Sequence, residues 1–317
     1  MQKLLTKNIP YCIIWNVFCI IICKIKIKHL FFYRRFKKMK RIVSLLLAMV
    51  LAFACFALTA CGSTKQVKVI DIALTNEEYA FGVDKNQPEL LAKVNAFIAD
   101  IKSNGKLDEI CEKYFQDGAP EGVTSASEDS SKDQLIVATN AQFEPFEYKL
   151  GDKYYGVDME IAKLLADYLG KELVIKNMDF DAVCLSVSQG KADIAMAGLT
   201  VKEDRKEFVT FSESYYNASQ MLVVAADDTR FDECKTVADV EAILKTFGAD
   251  IKAGCQTGTT GQFYLEGDAD WGFDGYAVET KGYKAGSLAI QDMINGNISF
   301  VVIDEAPAKC IVKAMNG

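Results

Sequence analysis

The residues best suited to gripping a small charged molecule lie in Ala197-Gly198-Leu199-Thr200-Val201-Lys202-Glu203-Asp204-Arg205. The glycine lets backbone come close to a ligand, and Thr200 offers a hydroxyl. Arg205 offers a planar fork of donors that fits a carboxylate better than a lysine does. Taken alone, the stretch reads equally well as a strand, a turn and a solvated arginine. The chemistry these types suit is binding. Burying a carboxylate unpaired is expensive, so a binder of one needs such a cationic fork. Catalysis by a histidine-activated nucleophile, or a histidine-ligated metal site, has little to draw on. The single histidine is His29, in a segment read below as preceding the mature chain.

Periodicity gives the elements that must position this stretch. A short apolar run, Ile194 to Ala197, reads as a buried strand leading into Gly198. Upstream, Leu135 to Thr139, Lys153 to Tyr155 and Leu173 to Lys176 read as strands. A helix begins near Asp158, with Ile161, Leu164, Leu165 and Tyr168 facing inward and Gly170 as its stop. Another helix is expected from Asp181 to about Gln189. Downstream, apolar strands end at Ala253, Thr280 and Ile303, each followed by a helix or a glycine-rich turn. Strands alternating with helices predict mostly parallel α/β sheets, which bind ligands at the carboxyl ends of their strands.

Three motifs follow one another here: LIVATNAQFEPFEY at 135–148, GDKYYGVDMEIAKLLADYLG at 151–170 and MDFDAVCLSVSQGKADIAMAG at 178–198. In order, spacing and residue type they resemble the first lobe of the family 3 extracytoplasmic solute-binding proteins, which serve polar amino-acid ABC transporters. The similarity runs from Lys65 to the end of the chain. It implies a two-lobed, periplasmic-binding-protein-like (type II) Venus-flytrap fold of α/β class, with lobe 1 at 135–225, lobe 2 at 226–317 and Ser219 to Ala225 as the crossover. It implies a monomer without cofactor or metal that traps a free amino acid and presents it to an ABC transporter permease. The family's roles, carried over position by position, put Arg205 on the ligand carboxylate, helped by Gly198 and Thr200. Thr260, from Thr257-Gly258-Thr259-Thr260-Gly261, adds donors at a helix N-terminus, and Asp304 takes the ammonium. Without the resemblance, the glycine-rich stretch is an ordinary turn and Asp304 a helix cap. Phe143 and Phe180 match positions whose rings wall the ligand side chain. Asn140 and Ala197 stand where relatives that bind cationic side chains tend to have an acid and a serine. That points to a neutral side chain, to which Gln256 adds one hydrogen bond.

One segment is out of order. EEYAFGVDKNQPELLAKVNAFIADIKSNGKLDEICEKYF, at 77–115, resembles the family's closing segment, which ordinarily comes last, and the chain stops where that segment would begin. A circular permutation is expected, with 66–76 as an edge strand of lobe 2, 77–117 as the displaced closing segment of lobe 1 and 118–134 as a flexible linker. The competing reading is a leftover tail that packs nowhere.

Residues 1–60 carry eleven of the 36 Lys and Arg and none of the 43 Asp and Glu, which leaves the remainder at a net charge of −18. So acidic a body argues against nucleic acid as a partner. Met39-Lys40-Arg41, the apolar stretch Ile42 to Leu58 and Leu58-Thr59-Ala60-Cys61-Gly62 read as a lipoprotein signal peptide over 39–60, with Cys61 lipidated and the protein anchored to the outer face of the cytoplasmic membrane. Residues 1–38 read as an upstream extension from a start codon set too early, with Met39 as the initiator; the alternative is one extra membrane helix. The five later cysteines are isolated and suggest core residues, not a disulfide framework. Two other uses of the scaffold stay open: a sensor subunit for a membrane receptor, and a dehydratase-type enzyme, for which Glu144 is the one nearby acid.

Overall fold

The structure, a computed structural model, describes residues 66–116 and 118–317, and residues 65–317 form one compact unit. The expectations for 1–38, for the signal peptide 39–60 and for Cys61 lie outside the described residues.

Two five-stranded sheets organise this unit. In the first lobe, Gln134–Thr139 lies parallel to both Glu172–Asn177 and Ile194–Ala195. Gly82–Val83 then joins antiparallel between Ile194–Ala195 and Thr210–Phe211. In the second lobe, Lys252–Gln256 lies parallel to Glu279–Tyr283 and Phe300–Asp304. Gln220–Ala225 runs antiparallel to Phe300–Asp304, and Val67–Ile70 forms the edge. The expected boundary after residue 225 therefore falls earlier. Gln220–Ala225 is paired on both sides inside the second sheet, and the crossing is made by Tyr216–Ala218, which pairs antiparallel with Glu77–Tyr79 in a two-stranded ribbon.

The early segment is built into this architecture. Helix Pro88–Ser103 starts on its proline and buries Leu90, Val94, Phe97, Ile98 and Ile101, the stripe its 3.6-residue period predicts. Helix Lys106–Phe115 buries Leu107 and Ile110. Both helices share one core cluster with Val137, Ile161, Leu165 and Ile194 of the first lobe, and Lys113 pairs with Glu160 at 2.5 Å. At the other end, Val67 is tied to the last helix, Glu305–Asn316: Asn316 Nδ2 donates to Val67 O at 2.8 Å and Val67 N to Asn316 Oδ1 at 3.2 Å.

Two further expectations need correction. Tyr168 does not face inward; it is 53 % exposed, and its ring lies tilted on Phe97 of helix Pro88–Ser103 at 5.4 Å. The stretch 118–134 is no free linker. Val123 exchanges backbone hydrogen bonds with Tyr154, Ala126 N donates to Leu173 O, and Ile175 N donates to Ser125 Oγ. The segment thus occupies the outer edge of Glu172–Asn177, where an open strand would leave unpaired amides and carbonyls. Helix Val157–Leu169 ends as expected, on Gly170 with φ 69°, the left-handed conformation that favours glycine.

Candidate functional site

Eight of the ten expected ligand residues line one cavity between the lobes: Phe143, Phe180, Gly198, Thr200, Arg205, Gln256, Thr260 and Asp304, joined by Thr259. Its volume is about 10 Å³, far below the ~300 Å³ at the small end of ligand pockets. The lobes are closed on one another, and admitting a ligand requires them to part. A larger groove of about 500 Å³ lies on the first lobe beside Pro88, Lys93 and Lys171. None of the ten expected ligand residues lines that groove.

The first lobe supplies the cationic end. Arg205 is only 8 % exposed. Its Nη1 donates to Thr200 O at 2.7 Å and its Nη2 donates across the cleft to Gly258 O at 3.0 Å. The guanidinium carbon stands 5.2 Å from the centre of the Phe180 ring, a cation–π contact. Phe180 therefore braces Arg205 as well as walling the cavity. Gly198, with φ 53°, could not be another residue: a Cβ there would sit 2.8 Å from the Phe143 ring. Its amide donates to Asp158 Oδ2 at 2.9 Å.

The second lobe supplies the anionic end. Asp304 closes strand Phe300–Asp304 and stands at the N-cap position of the last helix, yet its side chain makes no capping bond. Its Oδ2 accepts instead from Tyr79 OH at 2.5 Å. Burial, with the charge of Glu77 beside it, lifts the Asp304 carboxyl to about 7. The seven-residue helix Thr260–Glu266 contributes Thr260, whose hydroxyl lies 3.5 Å from that of Thr200.

Asn140 and Ala197 stand apart from the other eight. Asn140 lies behind the cavity, donating to Met178 O at 2.7 Å and accepting from Gln256 Nε2 at 3.0 Å, so its amide bridges the lobes. Ala197 does not reach the cavity at all; it sits in the apolar cluster of Ala138, Val183 and Leu199, and a role in specificity does not fit that position. Glu144, the acid an enzyme on this scaffold would need, is not among the lining residues. Burial raises its carboxyl, opposed by a hydrogen bond from Cys310.

Sequence reasoning missed a second layer of buried acids. Glu77 accepts from Thr200 Oγ1 at 2.7 Å. Asp158 accepts from Tyr215 OH at 2.6 Å, and burial lifts it to about 7. Glu147 is wholly buried with neither carboxylate oxygen hydrogen-bonded in the described structure. Burial, then the charges of Asp158 and Asp304, raise it well above the usual carboxylate range. The one available signal was the alternation Glu77, Tyr79, which puts both on the inner face of the crossing strand.

Comparison with known proteins follows the same lines. The family model described as bacterial extracellular solute-binding proteins, family 3, matches residues 6–117 and 135–302. The arginine-binding extracellular protein ArtP of Bacillus subtilis (strain 168) is 38 % identical over 106 residues, 33 % of this chain and 42 % of that protein. A probable histidine-binding protein of Neisseria gonorrhoeae is 29 % identical over 179 residues, 56 % of this chain and 61 % of that protein. The chain thus spans about half the length of these relatives. The solved structure of an ancestral arginine-binding protein bound to arginine is 34 % identical, with a TM-score of 0.50, covering 59 % of this chain and 76 % of that one.

Proposed function

Because the chain belongs to the bacterial extracellular solute-binding proteins of family 3, we propose that it traps a free amino acid between its lobes, outside the cytoplasmic membrane, and hands it to an ABC transporter permease. The observation that carries this reading is the pairing, in one cavity, of a buried guanidinium from one lobe with a buried carboxylate from the other. A ligand carboxylate takes the place of Gly258 O on Arg205, exchanging a neutral acceptor for a charged one. The ligand ammonium takes Asp304, whose Oδ2 already holds the Tyr79 hydroxyl.

The side chain of the ligand is neutral in this reading. The Gln256 carboxamide lines the cavity with that of Asn140 behind it, and Gln256 Oε1 is buried with no protein partner among the described residues. A side-chain donor such as an amide suits it. Calorimetry on the full chain with a panel of free amino acids tests both levels. Binding of L-glutamine or another neutral residue is expected; tighter binding of L-arginine overturns the neutral assignment, and no binding by any of the panel overturns the function.

The chain order belongs to the same proposal. Residues 66–116 precede the first lobe, yet they supply the edge strand of the second sheet, half of the crossing ribbon and a strand of the first sheet. That is the work of a family closing segment moved to the front. The lipid anchor rests on the sequence around Cys61, and Cys61→Ser is expected to move the protein out of the membrane fraction.

A further inference from the structure

Glu77 has a role that neither the motifs nor the cavity assign. It opens the crossing strand Glu77–Tyr79 and is 2 % exposed. Its Oε1 accepts from Thr75 Oγ1 at 2.6 Å and from Gln220 Nε2 at 3.0 Å, and its Oε2 accepts from Thr200 Oγ1 at 2.7 Å. These partners come from the approach to the crossing strand, from the first residue of Gln220–Ala225 in the second lobe, and from the first-lobe side of the cavity. A threonine hydroxyl has one proton to give. Thr200 gives it to Glu77, which leaves only lone pairs on that oxygen for the cleft. Tyr79, two residues on, gives its own proton to Asp304.

We propose that Glu77 is a positioning residue: by taking the Thr200 proton and standing beside Asp304, it leaves two acceptors, the Thr200 oxygen and the Asp304 carboxylate, at this end of the cleft, which admits a cationic amino group and rejects neutral or anionic ones. The inference rests on the reading that the cleft holds an amino acid. Asp304 is flanked by Glu77 and Tyr79 from the crossing strand and by Gln220 from the neighbouring strand, with Glu147 at longer range, and it shares its cavity with Thr260 from the helix and with Thr200 and Arg205 from the opposite lobe. Among these carboxylates, Asp304 is the one that meets the cavity. Its proton must leave before an ammonium can pair with it, and the negative charge of Glu77 delays that departure.

Titration calorimetry of the full chain between pH 5 and 8 is the test, with L-glutamine as probe, or L-arginine if that binds tighter, since neither changes charge in this range. In the unmodified protein affinity should rise with pH, about tenfold per unit below the Asp304 midpoint, and level off above it. In Glu77→Gln the carboxamide keeps the shape but must turn its NH₂ towards a donor, so the Thr200 hydroxyl swings round and donates into the cleft. The plateau affinity should then fall at least about tenfold and the midpoint should move to lower pH, because a like charge beside Asp304 is gone. Glu77→Asp keeps the charge but withdraws it from Thr200. There the plateau should fall while the midpoint stays, which keeps the inference open to test if Glu77→Gln does not fold. Variant curves that overlay the unmodified one overturn the inference and leave Glu77 a structural acceptor. Failure of the unmodified protein to bind either probe overturns the amino-acid reading, and the inference with it.

Discussion

Arg205 is held at two points, one in its own lobe and one across the cleft, and that division predicts how its substitutions differ. Arg205→Ala removes the only side-chain cation lining the cavity among the described residues, leaving the ligand carboxylate buried and unpaired, at a cost of about 2–5 kcal/mol in binding free energy. Arg205→Lys should recover part of this but not all. A single ammonium cannot keep Thr200 O and grip a carboxylate with the geometry of a fork. Calorimetry on both variants checks the order, and an Arg205→Ala affinity within about threefold of the unmodified protein sinks the site. At this scale the sequence was legible where one motif brings several residues to one cavity, as with Gly198, Thr200 and Arg205. It misled at Ala197 because of strand parity. Ile194 and Met196 join one cluster and Ala195 and Ala197 the other, so the residue next to the glycine faces the core and not the ligand. Glu77 and Asp158 were out of reach, because their meaning depends on which strands cross between lobes.

The helices were legible from their apolar period, and the two-residue strand Ile194–Ala195 from the apolar run that contains it. Gln220–Ala225 is buried along nearly its whole length, so its pattern could not say to which sheet it belonged, and the lobe boundary was misplaced accordingly. The stretch 118–134 has the composition of a linker, and only the backbone pairing of Val123 and Ala126 shows that it closes a sheet edge. The edge strand Val67–Ile70 carries the prediction that belongs to this scale. Val67 and Asn316 are in direct contact, so the chain can be reconnected there. A re-ordered chain in which residues 118–317 come first and run straight into 66–117 should fold and bind the same amino acid with affinity within about threefold, since chains whose joined ends lie together tolerate such reordering. If the early segment were an unpacked tail, moving it would leave circular dichroism and thermal unfolding unchanged, and so would deleting it. Its contribution of Phe97, Ile98 and Ile110 to the first core predicts instead that deletion abolishes cooperative unfolding of the first lobe.

Opening and closing belong to the molecule as a whole, and the closed arrangement is held by contacts of unequal weight. Lys284 and Asp179 pair at 2.8 Å, but both side chains are more than half exposed, and such pairs contribute little. The bond from Gln256 to Asn140 and that from Arg205 to Gly258 give way to the ligand if the proposed site is right. Lys202 is different. Its side chain is 4 % exposed, pairs with Asp204 at 2.8 Å within its own lobe and with Asp268 at 3.1 Å in the other, and lies over the Phe263 ring at 4.7 Å. Asp268 is itself 14 % exposed at the side chain, so this pair is shielded from water and lies outside the ligand cavity. It favours closure whether or not the cleft is filled. Asp268→Asn leaves Lys202 with its own-lobe partner and removes about 1–3 kcal/mol from the closed state, between the weight of a surface pair and that of a buried one. The ligand must then supply that difference, and apparent affinity should fall about tenfold, since a binding-competent state that is less populated lowers affinity in proportion. Small-angle scattering separates this from damage to the site. The ligand-free variant should show a larger radius of gyration than the ligand-free unmodified protein, while the two saturated forms coincide. Equal ligand-free radii would mean that closure is held elsewhere, and weaker binding with unequal saturated radii would mean that Asp268 shapes the closed state itself.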